Sequence, residues 1–179
     1  GASTGGFTDC LLQHGAAKVY AIEVGKGILH WKLRQDQRVV LMESTNARYV
    51  TNLPEKIALV TVDASFISLK VLLPVIKNWF SDAGGQVLAL IKPQFEAGRK
   101  EVSRGKGVIK DIEIHRTVLL EVLSAVQAEG YGVKNLIASP LIGPKGNREF
   151  FVQLTYPTRD NADMTERIDA LLDYKPIEK

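Results

Sequence analysis

Cysteine is almost absent from this sequence. Cys10 stands alone among 179 residues, so no internal disulfide framework can form, and a reducing, cytoplasmic setting is the expectation. Histidine is nearly as scarce: His14, His30 and His115 lie singly on separate expected helices, a pattern that gathers no metal ion. No apolar run approaches the roughly 20 residues that span a bilayer, and no secretory leader pattern is present, so no membrane partner is expected. Before about residue 158 there are no repeats, low-complexity segments or clear linker, which argues against a solenoid. What remains is ordinary for a globular chain, 45% hydrophobic and 24% charged, long enough for one substantial core. The net charge of +3 permits a nucleic-acid partner without requiring one.

Apolar periodicity predicts alternating strands and helices. Phe7, Cys10, Leu11 and Leu12 mark a short helix stopped by Gly15. Compact apolar runs at 17–23, 38–43, 56–63 and 85–92 read as strands. Between them, 28–35 and 68–80 read as helices, the second kinked at Pro74; Trp31 and Trp79 are expected to pack on these helices. Residues 111–130 form the best helix, opened by Asp111 and closed by Gly130. Two further strands, 131–141 and 149–157, are joined by a short glycine- and proline-rich connector and should pair antiparallel. The pattern predicts an α/β fold with a mostly parallel sheet. One domain is expected over residues 1–157, followed by a tail, 158–179, with a possible helix over 162–175. Gly1 opens directly on a glycine turn of the kind that hangs off a buried strand, so the first strand is expected upstream.

In such sheets ligands sit beyond the carboxyl ends of the strands, and there the sequence places Glu23, Glu43, Asp63 and Lys92. A glycine turn with an acid some 20 residues on is the general nucleotide-cofactor arrangement. Glu23 stands 22 residues after Gly1, where a carboxylate can accept ribose hydroxyls. The dinucleotide fingerprint is broken, however, because Ser3 occupies the glycine position that lets backbone approach a pyrophosphate. A cofactor without phosphates, such as S-adenosyl-L-methionine, has no need of that glycine. The expected cofactor pocket comprises Gly1, Ala2, Ser3, Thr4, Gly5, Gly6, Phe7, Glu23, Val24, Glu43 and Asp63. A nicotinamide-dependent oxidoreductase stays open as the competing reading. So does a purely structural one, in which Gly5 and Gly6 serve only a tight turn.

Four segments carry a specific resemblance. GASTGGFTDCLLQHGA, VDASFISL, LIKPQFEAGR and GPKGNREFF are similar, in this order, to the TlyA (hemolysin A) family of FtsJ-like RNA methyltransferases. The resemblance implies a Rossmann-like methyltransferase fold, S-adenosyl-L-methionine as donor and ribosomal RNA or the ribosome as partner. It also implies an N-terminal S4 RNA-binding domain in the full-length protein. The wider group uses a Lys-Asp-Lys-Glu tetrad, and by motif Asp63, Lys92 and Glu149 match its last three members; the first lysine would precede Gly1. The family commonly has aspartate where this chain has Glu23.

The implied reaction methylates a ribose 2′-hydroxyl, a weak acid, so a positioned base contributes about 10²–10⁴-fold. Lys92 is the expected base, with Asp63 and Glu149 orienting it and the ribose. Nearby acids keep a lysine protonated, and the family's upstream lysine would supply the opposing cation. Taken singly, Asp63 also fits a turn cap, Lys92 a solvated strand end and Glu149 a structural acid. After Lys92, residues 93–110 read as an unstructured basic arm over the site. Arg99, Lys100, Arg104, Lys106 and Lys110, extended by Lys145 and Arg148, are expected to contact RNA phosphates. An inactive methyltransferase-like RNA-binding domain and a hemolysin-type protein remain the alternatives.

Overall fold

The computed structural model describes residues 1–158 and 163–173. The chain divides into two units, Gly1–Pro54 and Glu55–Lys179. In the first, α1 (Gly6–Gln13) is followed by β1 (Val19–Ile22), α2 (Trp31–Arg34) and β2 (Val39–Met42). The two strands run parallel, Val19 opposite Val39 and Ile22 opposite Met42. Leu12 packs with Val19, Ala21, Leu29 and Leu33, and Leu11, Ala16, Val39 and Leu41 close around that cluster. Trp31, expected to pack, is instead 59% exposed. A helix of four residues has one inward position, and Leu33 fills it.

The second unit contains β3 (Leu59–Val62), α3 (Leu69–Ile76), β4 (Gly85–Ile91), α4 (Pro93–Glu96), α5 (Arg99–Arg104), α6 (Ile112–Ala128), β5 (Gly132–Ala138), β6 (Phe150–Tyr156) and α7 (Thr165–Asp173). Its sheet has the order β3-β4-β6-β5. β3 and β4 are parallel, whereas β6 runs antiparallel to both β4 and β5. The antiparallel β5–β6 pair was expected; the insertion of β6 between β4 and β5 was not. The crossover through α6 carries the chain one place beyond β4's neighbour, and the returning β6 fills that place.

Local signals explain most boundaries. The Asp111 side chain accepts the Glu113 N–H and caps α6, which buries Val118, Leu119, Val122, Leu123 and Val126. Ser68 caps α3 in the same way through the Lys70 N–H. Pro74 lies inside the last turn of α3, and the chain then tightens into a 3₁₀ turn at Lys77–Trp79. Trp79 is buried, as expected.

Residues 93–110 are not the structureless arm the sequence predicts, because α4 and α5 lie within them. Pro93 occupies the first helical position, where its missing N–H costs nothing. The end of the segment is also tied down. Ile109 is buried, its N–H donates to Asn147 Oδ1 at 3.0 Å, and Asn147 Nδ2 donates to the Gly107 carbonyl at 3.0 Å. In the expected tail, α7 buries Ile168 and Leu172, and Asp169 pairs with Arg116 of α6 at 2.7 Å. Residues 159–162 and 174–179 of that tail lie outside the described residues. No helix among the described residues is long and apolar enough to cross a membrane.

His115 is buried in α6, with Nε2 donating to the Ile109 carbonyl at 3.0 Å and its ring edge-on to Phe150. Burial pushes its pKa below the ordinary imidazole value; the Ile109 hydrogen bond only partly opposes this. The unfolded chain therefore takes up a proton that the folded chain resists. Stability from this group is complete above about pH 6.5 and is lost as the pH falls below it. Denaturant titrations from about pH 8 to about pH 5 should show a loss on the acid side of up to about 1.4 kcal/mol per pH unit from this residue. His115→Gln should remove that component; an identical acid-side slope in the variant would assign the loss to other groups.

Candidate active site

The glycine turn before α1 is shaped by its own backbone. Ala2 N–H donates to the Ile22 carbonyl at 2.9 Å, and Gly5 N–H closes the turn onto the Ala2 carbonyl at 3.0 Å. Ser3 and Gly5 take positive φ, 50° and 108°. Only glycine fits at Gly5, since a Cβ there would overlap the Leu33 and Leu29 methyl groups. A Cβ on Gly6 would meet nothing within 4 Å, so that face of the turn opens on free space.

Glu23 follows β1 directly, and its carboxylate grips this turn. Oε2 accepts the Ser3 N–H at 2.8 Å and Oε1 the Gly25 N–H at 2.9 Å. Burial is the largest single effect and acts to raise its pKa, but the backbone N–H donors, Gly25 and Ser3 foremost, together with the N-terminal positive charge, outweigh it and hold the carboxyl below the usual range. Glu23 is thus an ionised acceptor, and each oxygen retains capacity for a second donor. That chemistry fits the hydroxyls of a ribose. Val24, next along, is 64% exposed. Gly1 and Thr4 are exposed and Phe7 is half-buried, the Thr4 carbonyl accepting the His30 N–H at 3.0 Å. Glu43 is committed elsewhere: Arg34 pairs with both of its oxygens and Gly27 N–H donates to it at 2.7 Å. The Arg34 guanidinium holds its carboxyl below the usual range.

In the second unit the sheet register assembles the other expected residues. Val62 lies opposite Ala89, and Ile91 opposite Phe150. Asp63, Lys92 and Glu149 therefore stand just beyond the same ends of three adjacent strands, β3, β4 and β6. Lys92 Nζ pairs with Asp63 Oδ1 at 2.5 Å and donates to Ser65 Oγ at 3.4 Å. The lysine side chain is 12% exposed and the aspartate 40%. Glu149 is buried, its Oε1 accepting from Gln94 Nε2 at 2.8 Å.

Sequence reasoning assigned no role to five neighbours in these segments: Ser65, Gln94, Glu96, the exposed Phe66 and the half-buried Phe95, the last two with rings 4.8 Å apart. Their signal was positional, since all sit in the segments around Asp63 and Lys92. Phe66 is 89% exposed at a φ of 62°, and no periodicity announces that.

Among the expected basic residues, Lys100, Lys106, Lys110 and Lys145 are exposed. The side chains of Arg99 and Arg104 lie outside the described residues. Arg148 turns inward, donating to the Leu171 carbonyl at 3.0 Å with its guanidinium over the Phe150 ring.

A family model described as FtsJ-like methyltransferase matches residues 1–156. The chain belongs to the FtsJ-like methyltransferase family. Over 163 residues it is 49% identical to YqxC of Bacillus subtilis, named as a candidate rRNA methyltransferase, covering 88% of this chain and 56% of that protein. Over 162 residues it is 46% identical to the 16S/23S rRNA (cytidine-2′-O)-methyltransferase TlyA of Mycobacterium tuberculosis, covering 88% and 59%. The solved structure of a candidate hemolysin from Streptococcus thermophilus matches with a TM-score of 0.89 at 44% identity, over 96% of this chain and 62% of that one. The chain thus spans less than two thirds of the length of these relatives. The fold is the Rossmann-like methyltransferase fold expected from the sequence.

The glycine turn supplies a direct test of local geometry. Gly5→Ala should destabilise the first unit by about 1–3 kcal/mol, through the strained φ and the forced shift of Leu33. Gly6→Ala should change stability by less than about 0.5 kcal/mol. Hydrogen exchange over residues 1–54 reads both, and equal protection in the two variants would refute the packing argument.

Proposed function

We propose that this chain is the catalytic part of an S-adenosyl-L-methionine-dependent RNA methyltransferase that acts on a ribose 2′-hydroxyl of ribosomal RNA. The observation that carries this reading is the pairing of Lys92 with Asp63 at 2.5 Å, beside Glu149 at the same end of three neighbouring strands. The name of the M. tuberculosis relative, a cytidine-2′-O-methyltransferase of 16S and 23S rRNA, supports the substrate. With ribosomes as substrate, the reaction belongs to the cytoplasm.

Residues 1–157 form the methyltransferase domain in this reading and 158–179 its tail, with an S4 RNA-binding domain expected in the full-length protein. Glu23 would receive the ribose hydroxyls of the donor, while Val24 and the backbone from Gly1 to Phe7 would line its adenosine. When bound, S-adenosyl-L-methionine supplies an electrophilic methyl group on a sulfonium. As the neutral amine, Lys92 would take the proton of the substrate 2′-hydroxyl while that oxygen gains the methyl and leaves the sulfonium a neutral thioether. The upstream lysine of the family would oppose the pull of Asp63 toward the ammonium form. Asp63 sets the direction of Nζ, and Glu149 orients the ribose. Exposed Lys100, Lys106, Lys110 and Lys145 would meet backbone phosphates.

Transfer of labelled methyl groups to bare ribosomes, mapped by resistance of the product to alkaline cleavage, tests the reading. Lys92→Ala should lower turnover by at least about 10²-fold while donor affinity holds. Glu23→Ala should instead weaken donor binding, since a charged acceptor is lost. Near-normal turnover in the Lys92 variant would remove it as the base, and tight NAD binding without donor binding would replace the cofactor.

The lysines allow an independent measurement. Replacing Lys100, Lys106, Lys110 and Lys145 by Gln should weaken RNA binding and flatten its log–log salt dependence by about 0.7–0.9 per lost phosphate contact. Stability should move little, as exposed charges contribute weakly. Parallel salt titrations for wild type and variant would exclude these lysines from the RNA surface.

A further inference from the structure

Lys92 leaves β4 and runs at once into α4, a single helical turn. The Lys92 carbonyl anchors that turn, accepting the Phe95 N–H at 2.8 Å and the Glu96 N–H at 3.2 Å. The next side chains reach in different directions. Gln94, buried, donates through Nε2 to Glu149. Glu96 accepts the Ser68 hydroxyl at 2.5 Å and the Leu69 N–H at 2.7 Å, on the turn that follows Asp63. Phe95 lies against Phe66 on the same turn. One helical turn thus touches the segments that present all three proposed catalytic side chains.

Ser68 already caps α3 through the Lys70 N–H at 3.0 Å; Glu96 takes a further donor of that first turn, the Leu69 N–H, and in doing so its carboxylate ties the α3 turn to the turn that follows Lys92. At Gln94 the amide oxygen is buried without a hydrogen-bond partner. An orphaned polar atom of this kind is costly, and an apolar side chain of similar shape would fill the space without it. The amide is retained for its donor end, which faces Glu149. On the other side Gly143 leaves the space that the Glu149 carboxyl group occupies, since a Cβ there would overlap it.

We infer that Gln94 and Glu96 are positioning residues of the methyl-transfer site, Gln94 orienting the Glu149 carboxylate and Glu96 locking the Asp63 turn to the Lys92 turn. Strand pairing delivers Asp63, Lys92 and Glu149 to one edge, but each sits outside its strand. Alignment finer than strand register needs a second layer of contacts. The inference rests on the reading of these three as the catalytic set.

The test uses the full-length protein, with labelled donor and ribosomal RNA, measuring kcat, KM for RNA, donor Kd and the melting transition. Gln94→Met keeps the volume and removes the donor; Glu96→Ala removes the tie. Each should lower kcat by about 10- to 100-fold, with RNA KM and donor Kd within about twofold. Glu96→Gln should restore kcat to within about threefold of wild type, because its amide oxygen can accept from Leu69 while Ser68 turns to accept from its NH₂. This rescue separates positioning from general loss of fold, which the melting transition follows. Wild-type kcat in Gln94→Met and Glu96→Ala overturns the inference, as does a Glu96→Gln variant no better than Glu96→Ala, or losses that match the unfolded fraction. Wild-type protein that transfers no methyl group fails the catalytic reading itself, and this inference with it.

Discussion

The second unit's site is organised around one ion pair. Lys92 and Asp63 meet at 2.5 Å where the parallel strands β3 and β4 end, with the lysine side chain largely withdrawn from water. An ammonium taken out of solvent is expensive, and its attraction to one carboxylate offsets that cost only when the geometry is good. Such a pair is therefore poor evidence for stability and better evidence for orientation. It points the Nζ in a fixed direction, and the Ser65 hydroxyl adds a second restraint. The contacts of α4 extend the same constraint outward to Glu149 and to the start of α3.

The first unit follows the same logic with opposite charge. There a buried carboxylate, Glu23, holds backbone N–H groups rather than a cation. Because Ser3 and Gly25 both donate to it, the charge is stabilised where burial alone would oppose it. The glycine turn depends on this grip and on the absence of a side chain at Gly5, which lets the turn settle onto Leu29 and Leu33. Glu43 contrasts with it. Although it also ends a strand, its oxygens already serve Arg34 and Gly27, so equal placement in sequence did not bring equal surroundings.

Where reading the sequence went astray, the cause was consistently tertiary. The basic stretch after Lys92 has glycines and charges that read as loop. Yet Pro93 starts a turn without cost, and Asn147, from a distant connector, supplies the hydrogen bonds that pin Gly107 and Ile109. Arg148 belongs by composition with the exposed lysines, but Phe150 and the Leu171 carbonyl draw it inward. Trp31 sits on a helix too short to give it an inward position. None of these partners is near in sequence to the residue it captures, apart from Phe150, whose own burial follows from the sheet.

The sequence by itself determined the alternation of strands and helices, the cap at Asp111, and the acids and lysine at strand ends. Each rests on local periodicity, side-chain capping or the glycine requirement at positive φ. Four long motifs in order were enough for the family, because each combines residue types that no single structural role demands together. Only the tertiary structure decided that β6 enters between β4 and β5. That placement sets Glu149 beside the end of Lys92's strand, and Gln94 against Glu149. Strand order depends on which edges pair after the crossover through α6, a long-range choice that no window of sequence contains. Glu23 in the first unit and Glu96 in the second each accept a backbone N–H from a residue distant in sequence, Ser3 and Leu69, and folding alone brings those partners close.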